Sequence, residues 1–242
     1  MEAIKIMGLT KQYQNLVAVE NLDLQIQKGE LFALLGVNGA GKTTTVKMLS
    51  CLTQPTKGDA LVEGYRITKD PLKVKGLIGV SPQETAITPN LTAKENLELI
   101  CGFWGFHKDQ QNARIRELSK SFGLETILHR KAGKLSGGWQ RRLSIAMALV
   151  GEPAVLFLDE PTLGLDVLAR HELWDVIRAL KGKITVILTT HYMEEAEALS
   201  DRIGIMKDGK LLITGTAQEL MDATGTQKFE DAFIAIVKEG NQ

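Results

Sequence analysis

The chain has little of what would mark a special class of protein. It has only two cysteines, Cys51 and Cys101, both in apolar surroundings and without C-x-x-C or His-rich spacing. Buried free thiols in a reducing compartment are therefore favoured over a disulfide or a metal site. Neither charge is in excess: Lys+Arg and Asp+Glu both total 29, for a formal net charge of zero. A nucleic-acid surface usually shows as a basic surplus, which this balance does not offer, although net charge leaves a local stripe open. No run of about 18 apolar residues occurs, so the sequence predicts no membrane span, and any action at a membrane needs a partner to supply the spans. The N-terminus lacks the basic start and apolar core of a signal peptide. There is no internal repeat and no low-complexity linker. With 242 residues, the chain suits one large domain or two small ones.

What is present alternates between strand-like and helix-like patterns. The first thirty residues read as strands at residues 3–6, 17–19 and 22–26, with further strand-like runs at 60–62, 77–80, 155–158 and 184–188. Residues 155–158 and 184–188 are almost continuously apolar, as expected for central strands of a parallel sheet covered on both faces. Helical patterns are clearest at 139–150 and 167–180. Residues 203–206 and 211–213, joined across Asp208-Gly209, read as a hairpin. From about 90 to 135 the pattern is helical without a convincing strand, which predicts a helical subdomain inserted between two strands.

Residues 36–44, Gly-Val-Asn-Gly-Ala-Gly-Lys-Thr-Thr, satisfy G-x-x-x-x-G-K-[ST], the phosphate-cradling P-loop. An apolar run of strand length (31–35) precedes it, and a helical pattern (43–49) follows. Strand, glycine-rich loop and helix together are the context this motif requires. The glycines, Gly36, Gly39 and Gly41, allow tight turns that bring backbone N–H groups of Asn38, Ala40 and Thr44 onto phosphate oxygens. Lys42 reaches the β- and γ-phosphates, and the Thr43 hydroxyl is placed to ligate Mg²⁺. The expected ligand is a nucleoside triphosphate.

Two further clusters carry chemistry. The apolar run 155–158 ends in Asp159-Glu160, a Walker B arrangement. Asp159 would support Mg²⁺, and Glu160 would act as general base toward the water attacking the γ-phosphate. Alone, a strand ending in acids is common; downstream of a P-loop the catalytic reading prevails. Ser136-Gly137-Gly138 precedes an amphipathic pattern, with Ser136 placed as N-cap and the following amides forming an anion site. Either the protein binds two separate anions, or this second site serves a nucleotide held by another copy of the chain.

Ser136-Gly-Gly, lying between a P-loop and Leu156-Phe-Leu-Asp-Glu, resembles the signature of the ATP-binding cassette family. Supporting pieces follow in the family's order along nearly the whole chain. Tyr13 resembles the aromatic that stacks on adenine. Gln83, after the strand at 77–80, resembles the glutamine that approaches Mg²⁺ and water. Leu163-Gly-Leu-Asp166 resembles the segment that touches the opposite subunit. His191 resembles the histidine that senses the γ-phosphate. Three positions depart from the common pattern: Val37 in the loop, Trp139 after the signature glycines and Val167 after Asp166. None removes a phosphate- or metal-binding group.

The resemblance implies an α/β P-loop NTPase fold with a central, mainly parallel sheet, an N-terminal antiparallel β subdomain and an inserted α-helical subdomain. It implies a single ATP-binding domain over residues 1–242, with the insert at about 88–150 and a short helical tail at 216–242. It implies ATP and Mg²⁺ as ligands, and a head-to-tail dimer; both half-sites are intact, as a homodimer needs, and pairing with a different cassette stays open. Each ATP would lie between Lys42 of one subunit and Ser136 of the other. Sequence around Gln83 and residues 191–197, His-Tyr-Met-Glu-Glu-Ala-Glu, resembles the branch of drug, sodium and polysaccharide exporters. That implies an ATPase subunit on the cytoplasmic face, attached through a separate multi-spanning permease, with no nucleic-acid partner. Residues 93–106 hold Leu97, Leu99, Ile100, Phe103, Trp104 and Phe106, a concentration unusual in a chain with 5% aromatics. Most of these are expected in the core of the helical insert, and some in a groove for a partner's helix. The alternatives are a cassette ATPase working on ribosomes or nucleic acid, and a P-loop kinase or GTPase. The first fits poorly with one cassette and no basic excess; a GTPase should show an N-K-x-D motif, which the sequence lacks, and a kinase would leave Ser136-Gly-Gly and Gln83 unexplained.

Overall fold

A computed structural model describes residues 1–240. The chain opens with two long antiparallel strands, β1 (Glu2–Tyr13) and β2 (Leu16–Gln27), followed by the short buried β3 (Leu31–Leu35) and helix α1 (Lys42–Leu49). β4 (Lys57–Val62) and β5 (Tyr65–Arg66) complete a four-stranded antiparallel sheet in the order β2-β1-β4-β5. The runs at 17–19 and 22–26, which look like separate strands in sequence, are one strand. Between them Asn21 takes φ 45°, opposite a register shift around Leu9, so the polar step is a bulge and not a break.

After α2 (Pro71–Lys75) and β6 (Ile78–Ser81), the chain leaves the sheet for three helices: α3 (Ala93–Phe103), α4 (Lys108–Phe122) and α5 (Gly137–Ala148). It returns as β7 (Val155–Asp159), α6 (Val167–Arg178), β8 (Thr185–Thr190), α7 (Met193–Leu199), β9 (Arg202–Lys207) and β10 (Lys210–Gly215). The second sheet has the order β10-β9-β3-β8-β7-β6, parallel throughout except for the β9–β10 hairpin.

β3, β7 and β8 are buried at every residue because helices or the other sheet cover both faces. Along β7 the side chains alternate: Leu156 and Leu158 join the core under the helices, Val155 and Phe157 the core against the antiparallel sheet. Each such fully buried side chain contributes about 1.5–3 kcal/mol, and together they hold the carboxyl ends of β3, β7 and β8 in fixed register. That edge carries the loops at 36, 159 and 191.

Two expectations need correction. Cys101 is buried, but Cys51 is only partly so; it follows α1 in a left-handed turn (φ 56°), which leaves part of its side chain at the surface. In α3, the residues facing inward are Ala93, Leu97 and Cys101, at helical spacing, so Leu99, Phe103 and Trp104 face outward at 42, 78 and 41% exposure. Leu97, Ile100 and Phe106 meet the core as expected, but Leu99, Phe103 and Trp104 are surface. The tail holds α8 (Ala217–Thr224), entered by a Thr216–Glu219 capping box, as well as α9 (Phe229–Glu239). Residues 241 and 242, the end of the tail read at 216–242, lie outside the described residues.

Candidate active site

The loop leaving β3 is shaped by close backbone approaches. At Gly36 a Cβ would lie 2.4 Å from the Met206 carbonyl oxygen. At Gly41 (φ 101°) it would lie 2.5 Å from the Ala18 oxygen, so that position excludes any other residue on two counts. The loop therefore wraps tightly over the start of α1, whose first residue is Lys42.

Lys42 is 4% exposed, and its ammonium donates to the carbonyls of Gly36 (2.7 Å) and Val37 (3.1 Å). Its Nζ stands 3.8 Å from Glu160 Oε1. Burial pushes the Lys42 pKa down, opposed by the carboxylates of Glu160 and Asp159. Next to it, the Thr43 hydroxyl donates to Asp159 Oδ1 at 3.0 Å. The same oxygen accepts from the buried Thr189 hydroxyl of β8.

Glu160 follows directly on β7, 8% exposed, with φ 46°. A left-handed glutamate is strained by about 1–2 kcal/mol. It is held there by its own N–H, which donates to both the backbone oxygen (3.1 Å) and the hydroxyl (3.0 Å) of Thr189. Its Oε2 lies 3.3 Å from His191 Nδ1, without the alignment of a hydrogen bond. Thr189 thus fixes both acids, a role that sequence reading missed. The available signal was a threonine inside an apolar strand.

Of these groups, Lys42, Thr43, Glu160 and His191 border one cleft of about 630 Å³, whereas Gly36, Asp159 and Thr189 do not line it. The structure brings Tyr13, residues 38–44, Gln83, Glu160, Leu163 and His191 to it. Tyr13 stands at the mouth, 43% exposed, with Lys11 Nζ 4.9 Å from its ring centre. Gln83 is exposed, and its backbone oxygen is clamped at 2.6 Å by Arg141 of α5, which also holds the Pro82 oxygen at 2.6 Å. Arg141 is a second missed residue. A cation in the helix following Ser136 reads as surface, yet it is 5% exposed, and burial pushes its pKa down.

Ser136, Gly137 and Gly138 do not border this cleft. Ser136 is the N-cap of α5, but its hydroxyl makes no capping bond, contrary to expectation; it and Gly137 are exposed. Gln140 instead folds its amide back onto the oxygens of Ala132 (3.2 Å) and Leu135 (3.1 Å), which anchors the turn before the helix. A Cβ on Gly137 or Gly138 would meet Leu165 at 3.4 Å or Ala169 at 3.2 Å, so the glycines abut the start of α6. Asp166 caps that helix, accepting from Ala169 N at 2.9 Å. Trp139 lies under Arg142, 4.9 Å from ring centre to guanidinium.

Comparison with known proteins gives a consistent picture. The family described as "ABC transporter" matches residues 19–163. The doxorubicin resistance ATP-binding protein DrrA of Mycobacterium tuberculosis is 41% identical over 238 residues, spanning 97% of this chain and 70% of DrrA. The probable multidrug ABC transporter ATP-binding protein YbhF of Escherichia coli is 39% identical over 98% of this chain and 42% of its own length. Among solved structures, an ATP-binding subunit of an ABC transporter superposes with a TM-score of 0.85 at 28% identity, over 97% of this chain and 99% of that one. A dimeric post-hydrolysis cassette, MJ0796 bound to ADP and Pi, gives 0.79 at 29% identity, over 88% of this chain and 98% of that one.

Proposed function

The chain belongs to the ABC transporter family as an ATP-binding, ATP-hydrolysing subunit, and from that premise we propose that two copies close head to tail on two ATP molecules to drive export through a separate permease. Subunits of this family work as dimers with membrane permeases. The observation that carries the head-to-tail reading is the separation of two anion-seeking helix starts. The start of α1 lies in the cleft, while the exposed start of α5, with its free Ser136 hydroxyl, lies outside it. A γ-phosphate in the cleft of one copy, met by Ser136 and the amides of Gly137 and Gly138 of the other, would use both.

In this reading the polyphosphate takes the Lys42 ammonium that now lies on loop carbonyls, supplying the counter-charge that its burial calls for. The adenine stacks on Tyr13, and backbone N–H groups of residues 36–44 receive the phosphates. The Glu160 carboxylate accepts a proton from the attacking water, and His191, beside it, donates toward the γ-phosphate. Thr43, Asp159 and Gln83 offer oxygens only, and two of these oxygens are already 3.0 Å apart. Among the described residues no cluster of three His, Cys, Asp or Glu stands ready for a metal. That donor set fits Mg²⁺, which takes one or two protein oxygens and completes its shell with phosphate and water. When bound there, the ion would neutralise charge on the phosphates.

Among the described residues no helix is long and apolar enough to cross a membrane. Attachment at the cytoplasmic face would therefore go through the permease. Leu99, Phe103 and Trp104 form an exposed apolar patch on the helical insert (residues 88–150) that fits a short helix of such a partner. The named drug-resistance relatives support export as the direction. The test is to purify tagged Glu160→Gln chain from gently solubilised membranes with ATP and identify what accompanies it. A stoichiometric multi-spanning protein is expected; recovery with ribosomes or DNA instead would overturn the transport reading.

A further inference from the structure

Behind the His191 loop lies a buried acid that the hydrolytic chemistry does not use. Glu195, in the first turn of α7, is 0% exposed. Its Oε1 accepts from Trp174 Nε1 of α6 at 3.1 Å. The hydroxyls of Thr190, at the end of β8, and of Thr162, in the loop after Glu160, face the same carboxyl. Oε2 of Glu195 and Oγ1 of Thr162 are both buried without an aligned partner among the described residues. Burial pushes the carboxyl pKa up from the usual range, opposed by the Thr190, Thr162 and Trp174 groups and by the Arg170 charge. Arg170, also of α6, stacks its guanidinium 4.5 Å from the ring centre of Tyr192, next to His191.

Three segments therefore meet at one side chain: the loop leading from Glu160, the helix that follows it, and the loop that carries His191. The need for such a tie is physical. α7 has seven residues, far below the length at which a helix holds itself, and its N-cap, Tyr192, makes no side-chain capping bond. Ala196 and Leu199 bury the middle and far end of the helix in apolar cores; in the turn next to His191, Met193 packs only partly against one of them, and Glu195 is the fully buried side chain.

We propose that Glu195 is a positioning residue for His191, fixing its place beside Glu160 by locking the first turn of α7 to Trp174 and Thr162. The inference rests on the reading of His191 as a functional residue of the cleft. The Glu195 carboxyl does not line the cleft; it acts through the loop that it anchors.

The test uses the full chain and three variants. Glu195→Gln keeps an acceptor for Trp174 and a donor for Thr162. Glu195→Leu removes both, and Trp174→Phe removes only the indole donor. Leu and Phe at these positions should lower kcat by roughly tenfold, since small misplacements near the chemistry are costly. Their KM and Kd for ATP should stay within about twofold, because the phosphate loop is untouched. Gln should restore kcat. In parallel, the ring-carbon NMR signal of His191, assigned through His191→Ala among four histidines, should move in the Leu and Phe variants and stay in place in the Gln variant. An unmoved His191 signal, or a wild-type kcat in Glu195→Leu, overturns the proposal. So does a parallel loss of ATP affinity and kcat in Trp174→Phe, which would mark a merely structural role. If the signal moves as expected while His191→Ala hydrolyses ATP normally, the reading of His191 fails and the positioning stands.

Discussion

Lys42 Nζ and Glu160 Oε1 face each other across 3.8 Å at the floor of the cleft, both about nine-tenths buried. One is the first residue of α1 and the other follows directly on β7. The pair joins the group that would hold the triphosphate to the group that would act on the attacking water. A charge pair of this kind is costly to break from one side, because the remaining partner stays buried.

Lys42→Ala should weaken ATP binding by about 2–3 kcal/mol, the value of charge-assisted hydrogen bonds to phosphate, which is at least ~30-fold in Kd. Titration calorimetry against the wild type measures this. Affinity within threefold of wild type would remove Lys42 from the site.

Thr189→Val keeps the volume but removes the hydroxyl that donates to Asp159 and accepts from Glu160 N. The expected loss of stability is about 1–2 kcal/mol by urea unfolding, with a fall in kcat exceeding any rise in KM. Unchanged kcat would show that Thr189 serves stability alone.

Phe103→Asp should leave basal ATP turnover and thermal stability within error, since the side chain is 78% exposed, while abolishing recovery of the membrane partner. If the partner is still retained, docking lies elsewhere.

Glu195 gives a pH dependence whose sign is determined. Its folded pKa is raised above the ordinary 4.5 by burial. The folded state therefore binds more protons above that pH, and stability falls as pH rises through the folded value. Glu195→Gln is neutral at every pH, so its stability should gain on the wild type progressively above about pH 4.5. Urea unfolding of both proteins from pH 5 to 8 checks it; a constant difference would contradict the burial argument.

The sequence made much of this legible because the polar groups of the candidate site sit where strands end. β3 and the runs 155–158 and 186–188 are apolar, so Lys42, Asp159 and His191 stand out among the polar groups at or beyond their ends. The parallel sheet and the helical insert could be read from the period of their apolar residues, whereas the antiparallel N-terminal sheet came only with the family resemblance, and β2 read as two strands. Thr189 and Arg141 could not, since a hydroxyl in a strand and a cation in a helix acquire meaning only from neighbours distant in sequence. Thr189 lies 29 residues from Glu160, and Arg141 lies 58 residues from Gln83. The outward face of α3 was misread for a related reason. Composition records that apolar residues are concentrated there, but only the helical phase set by Ala93, Leu97 and Cys101 says which of them are turned away. The free Ser136 hydroxyl shows the same limit, because the sequence marks a cap position without saying what the cap binds.

The most direct measurement is the mass of the Glu160→Gln chain in solution, by size exclusion with light scattering, with and without ATP. Hydrolysis should be blocked while binding is kept, so ATP should convert a single-chain species to one of twice the mass, and Ser136→Glu in the same background should abolish the conversion. A Glu160→Gln chain that binds ATP but keeps the single-chain mass, or a dimer indifferent to Ser136→Glu, would contradict head-to-tail closure.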